Sequence, residues 1–132
     1  MAKRSMCLSI VCAALVLGVT GSTTGQTVAT RQLMREKLEL SHHILDAVMT
    51  SNYDALEHDS VALSRLPERA GWMVFQTPEY VRYSGAFVNA AQDLAAAAKD
   101  RDLDAAAVRY ASMTMACYQC HRYVARARQT EK

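Results

Sequence analysis

An all-α fold, an antiparallel up-down-up-down four-helix bundle, follows from three observations. The apolar residues of this 132-residue chain recur at helical spacing almost throughout. No stretch alternates apolar and polar residues as a half-buried strand would. The pattern breaks near Ser51, Pro67, Thr77-Pro78 and Asp102, where the residues carry helix stop and start chemistry.

Ahead of the first helix lies a segment of another kind. Lys3 and Arg4 precede an apolar run, Met6 to Val19, and then small residues, Gly21-Ser22-Thr23-Thr24-Gly25, the layout of a secretory signal. The run is too short to span a bilayer comfortably. Cleavage is expected after Gly25, removing residues 1–25 and leaving 26–132 as one small domain. Ser9-Ile10-Val11 before Cys12 is not the Leu-small-small triplet of a lipidated cysteine, so a soluble exported protein in the periplasm is expected. Cys7 and Cys12 leave with the signal, and the mature chain keeps Cys117 and Cys120. The full chain has 15 Lys+Arg and 13 Asp+Glu, and loss of Lys3 and Arg4 balances the two. No basic stripe points to nucleic acid, and no second apolar run points to a membrane anchor.

Four helices fit the mature chain. The first is predicted from about Arg31 to Met49, with Thr30 as N-cap and Met34, Leu38, Ser41, Leu45 and Val48 facing inward. The second begins near Asn52, where Ser51-x-x-Asp54 resembles a capping box, and carries Leu56, Ser60, Leu63 and Leu66 before Pro67 ends it. The third has the clearest start, because Thr77 can cap, Pro78 suits the first helical position and Glu79 favours the positive end of the dipole. Its inward stripe is Tyr80, Ser84, Phe87, Ala91, Leu94 and Ala98. The fourth opens at Asp102 and runs through Leu103, Ala107, Tyr110, Thr114, Cys117, His121 and Val124. Short connections join the first to the second and the third to the fourth, whereas residues 67–76 form a longer apolar link with Gly71, Trp72, Met73 and Phe75.

The most specific feature is Cys117-Tyr118-Gln119-Cys120-His121, which spells C-x-x-C-H, the attachment sequence of a c-type haem. Two thiols at this spacing can add to the two vinyl groups of one porphyrin, and the imidazole after Cys120 can bind the iron. A redox dithiol would be expected beside a strand, and a structural zinc site would need two further ligands. Neither context is present. One haem c, covalent through Cys117 and Cys120, is the expected cofactor, and a bundle built as above puts it at one end, beside Met34 and the Trp72 link.

An exported four-helix chain whose last helix carries C-x-x-C-H resembles the class II c-type cytochromes, which comprise cytochrome c′ and its low-spin, methionine-ligated relatives. The resemblance rests on Cys117 to His121 and on Arg31-Gln32-Leu33-Met34 near the start of the first helix. It implies thioether bonds at Cys117 and Cys120, His121 as the fifth iron ligand and Met34 as the sixth. Cytochromes c′ usually carry an Arg four residues after the haem-binding His; here that position is Ala125, with Arg122 and Arg126 nearby.

The sixth ligand decides the function. Met34 is the leading candidate, with packing as its plain alternative. Met73 in the long link is its rival, and a vacant or water-filled site is the third option. His42 lies ~12 Å further along the helix at the helical rise and is too distant; with His43 and His58 it is expected on the surface. Trp72, Phe75 and Tyr80 are candidates to pack on the porphyrin, and Arg31 and Arg35 to meet its propionates. The expected function is electron transport by a one-electron carrier with His/Met ligation, not an enzyme, whose partners are redox proteins. The alternative is a high-spin haem protein that binds NO or CO at an open distal site. The redox partner and the potential are not legible, and a homodimer stays open.

Overall fold

The computed structural model describes residues 22–130, with side chains from Thr27 onward. Four helices, α1 (Ser22–Met49), α2 (Tyr53–Arg65), α3 (Pro78–Lys99) and α4 (Leu103–Thr130), and a short 3-10 turn, η1 (Leu66–Glu68), make up its regular structure, so the fold is all-α. No described helix is long and apolar enough to cross a membrane. The signal segment before Ser22 lies outside the described residues, and the expected cleavage after Gly25 falls in the first turn of α1.

Helix α1 starts earlier than expected, and Thr30 is therefore not its N-cap. Thr30 is inside the helix, and its hydroxyl donates to the carbonyl of Gly71 at 2.7 Å. The two short turns share one design. Ser51 and Arg101 each adopt a positive φ of 54°. Each is followed by an Asx cap, with Ala55 N–H donating to Asn52 Oδ1 at 3.2 Å and Ala105 N–H donating to Asp102 Oδ1 at 2.9 Å. The preceding helices close by the reverse bonds of a Schellman ending, Asn52 N–H to Ala47 O and Asp102 N–H to Ala97 O. The cap of α2 is thus Asn52 rather than Ser51, whose left-handed backbone serves the end of α1 instead. Thr77 caps α3 as expected, with Pro78 in the first turn and Tyr80 N–H donating to its hydroxyl at 3.3 Å. Each such cap is worth about 1 kcal/mol.

The core runs the length of the bundle through Ile44, Leu56, Leu63, Phe87, Leu94 and Met113, all essentially inaccessible. The stripes of α2 and α3 face inward at every expected position. Those of α1 and α4 are turned by about one residue. Val48 is buried as expected, but Leu38 is 58% exposed and Leu45 also faces solvent, while Leu33, Lys37, Ile44 and Ala47 are buried. On α4, Ala107 and Thr114 are exposed and Ala106, Met113, Ala116 and Cys120 point inward. The reason is packing: α1 packs on α2, α2 on α3 and α3 on α4, whereas α1 and α4 touch each other only lightly. Each outer helix therefore turns toward its one main neighbour.

Residues 69–77 link η1 to α3 and are held at both ends. Arg69 pairs with Glu36 of α1. Trp72 is buried, its indole N–H donating to Ser84 Oγ at 3.0 Å, its carbonyl accepting from Tyr80 Oη, and its ring stacked on Phe87 with centroids 5.4 Å apart. Thr77 Oγ1 and Tyr123 Oη share a 2.6 Å hydrogen bond that ties the start of α3 to the C-terminal part of α4. The link is thereby seated over the place where α1 and α4 diverge.

Candidate functional site

A cavity of about 880 Å³ opens there, within the range of pockets that enclose small-molecule cofactors. Helix α1 contributes Arg31, Met34 and Lys37 to its wall; α4 contributes Cys120, His121, Val124 and Arg128. Trp72, Phe75 and Tyr80 form an aromatic side, so all three aromatics singled out in the sequence line the cavity. Phe75 is set edge-on to both Tyr80 and Tyr123, with centroids 6.1 and 6.3 Å away.

The two thiols of the motif are free and differ in setting. Cys120 is buried in the cavity wall, whereas Cys117, one turn earlier, is half-buried and is not a wall residue. His121 is solvent-accessible and lines the cavity beside Cys120. The inward face of the motif therefore centres on Cys120, not on Cys117 and His121 as the stripe had it. Burial pushes the Cys120 thiol up against the opposing pull of Lys37. Partial burial, reinforced by the positive Lys37, holds the His121 imidazole below its ordinary value, which favours the neutral ring. The neutral ring is the form that can bind a metal.

Lys37 is the residue that sequence reasoning missed. It is only 5% exposed, with Nζ 3.8 Å from the centroid of Phe87 and 4.8 Å from that of Trp72. Burial lowers its pKa, and the nearby thiols Cys117 and Cys120 oppose that shift without overcoming it. Its position three residues after Met34 was the available signal, hidden because a lysine is expected outside. Arg128, seven residues after His121 and so on the same face, was also missed.

Met34 is in the wall with Cys120 and His121, half-buried. Its rival Met73 is 43% exposed and does not line the cavity. His42, His43 and His58 are exposed, and His58 Nδ1 lies 2.9 Å from Asp59. Arg31 is a wall residue; Arg35 is outside it. Among the described residues no group of three or more His, Cys, Asp or Glu converges on a metal-sized site, so the thiol pair lacks the companions of a structural zinc centre.

These features fit a haem. One free thiol and the imidazole of the motif line the cavity, with the second thiol one turn earlier on α4 and outside the wall, a thioether sulfur lines it from α1, apolar and aromatic groups fill the sides, and two guanidinium groups are available for carboxylates. No protein-family model, curated protein or solved structure matches the chain.

Proposed function

We propose that the protein is an exported c-type cytochrome of the class II kind, a one-electron carrier with a single covalent haem c. The observation that carries this reading is the shared cavity: Cys120 and His121 of the C-x-x-C-H motif line it together with Met34 from the opposite helix. Cys117 and Cys120 would hold the haem through thioether bonds, and His121 and Met34 would bind its iron. Bound haem supplies a one-electron Fe(III)/Fe(II) couple, whose potential a methionine ligand raises. The chain's own contribution is to exclude water and to fix its ligands. Trp72, Phe75 and Tyr80 shield the cavity, and the hydrogen bonds of Trp72 to Ser84 and Tyr80 hold that wall rigid. Arg31 and Arg128 offer planar forks to the two propionates. No substrate is turned over.

Protein matured through a signal peptide and a cytochrome c maturation system tests this. The haem should stay with the polypeptide in a denaturing gel and stain for peroxidase activity, and Cys117→Ala/Cys120→Ala should abolish the stain. Haem that leaves the wild-type chain on denaturation would refute the covalent assignment. The oxidised protein should be low-spin, and Met34→Ala should turn it high-spin and open its reduced, ferrous form to carbon monoxide. A wild-type protein already high-spin, taking up carbon monoxide without a slow displacement step, would assign it to gas binding instead.

A further inference from the structure

Charge is divided along the bundle. The α1–α2 and α3–α4 turns meet at one end, where Arg101 of the second turn lies 3.7 Å from Asp54 just beyond the first. Asp46, Asp54, Asp93, Asp100, Asp102 and Asp104 are all exposed in that half. Among the described residues its cations are Arg101 and Arg109, which are paired with Asp54 and Asp93, and Lys99. The cavity end has the opposite character. Arg31 and Arg35 on α1 and Arg122, Arg126 and Arg128 on α4 are all exposed. None of the five forms an ion pair among the described residues. Among the described residues the acids of this end are Glu36, which is paired with Arg69, Glu39, exposed on α1 four residues after Arg35, and Glu68 and Glu79 on η1 and α3, whereas the part of α4 that carries its three arginines has none.

We propose that the arginine surface beside the cavity, with Arg35, Arg122 and Arg126 outside its wall, is the docking site for an acidic electron-transfer protein. The inference rests on the electron-carrier reading. Two propionates meeting Arg31 and Arg128 would leave the other three arginines without an ion-pair partner among the described residues, with Arg35 having Glu39 four residues on and Arg122 and Arg126 no acid near them on α4. They stand on helices rather than loops, so the surface is preorganised. Electrons must enter or leave close to the haem, and a field concentrated there steers an oppositely charged partner to the productive face. A bilayer is the poorer occupant: between Gln119 and Thr130 every exposed residue of α4 is Gln, His, Arg, Ala or Thr, and the exposed large apolar groups nearest them in the fold, Val28, Met73 and Tyr118, are single residues on α1, the link and α4 rather than one apolar helix face.

Titration of the holoprotein with an acidic plant-type [2Fe–2S] ferredoxin tests the surface, followed by calorimetry at increasing salt. Binding should weaken steeply as salt rises and fall by about tenfold or more in Arg122→Glu/Arg126→Glu. Arg35→Glu should weaken it from the α1 side, and the far-end pair Asp46→Lys/Asp100→Lys should leave it intact. Unchanged binding in both arginine variants would overturn the proposal. So would retention of the wild-type protein on phosphatidylglycerol vesicles with no affinity for ferredoxin. Reduction of the haem by the same ferredoxin, followed optically, separates the two readings: complex formation without reduction would defeat the carrier role and leave the acidic-partner surface standing.

Discussion

Gly71 rests directly on the backbone of Thr30. The Thr30 hydroxyl donates to the Gly71 carbonyl at 2.7 Å, and a Cβ on Gly71 would stand 2.8 Å from Thr30 N and 2.9 Å from the carbonyl carbon of Ala29. Gly71 also has a φ of +91°, a conformation that side chains rarely adopt. One glycine therefore seats the Trp72 link against α1.

Gly71→Ala should accordingly cost more than a surface change. Backbone strain alone is worth ~1–3 kcal/mol, and the clash is with main chain that cannot swing aside. Denaturant unfolding should show the midpoint falling with little change in slope. A variant as stable as the parent would mean that the link is not held against α1 in this way.

Two serines stand on apolar stripes and should respond with opposite signs. Ser84 Oγ accepts the Trp72 indole N–H, so Ser84→Ala leaves a buried donor unpaired and should destabilise by ~1–3 kcal/mol. Ser60 is fully buried, and its hydroxyl has no hydrogen-bond partner among the described residues. Ser60→Ala removes that unpaired group and should stabilise by about 1 kcal/mol. Thermal melts of the two variants check the pair, and a loss of stability in Ser60→Ala would show that its hydroxyl is satisfied.

Lys37 should make stability depend on pH. Burial lowers its pKa in the folded chain below the ordinary 10.5, so between the two values the unfolded chain holds the proton and the folded chain does not. Stability therefore rises as pH increases through that window, and the burial penalty is fully present below the folded value. Lys37→Met keeps the packing over Phe87 and Trp72 and removes the charge. The variant should be the more stable at neutral pH, with the advantage shrinking as pH climbs toward 10.5. An advantage that stays constant from neutral pH upward would show that Lys37 is not desolvated.

The helices and their ends are local matters and were legible one residue at a time. Thr77-Pro78-Glu79 starts α3, Asp102 starts α4, and the stripes of α2 and α3 name their buried residues because those helices are flanked on both sides by neighbours. The C-x-x-C-H motif and Met34 were likewise visible as types and spacings. What the chain alone could not settle is the rotation of α1 and α4 about their axes. Both have one main neighbour, so a stripe turned by one residue satisfies the helical period equally well, and the choice falls to packing. On α1 the buried side includes a charge, Lys37, tolerated there because two aromatic faces receive it; on α4 it is built largely of Ala106, Ala116 and Cys120, too small to announce themselves. That rotation, a property of the assembled bundle, turns Cys120 rather than Cys117 into the wall and brings Lys37 and Arg128 to the site.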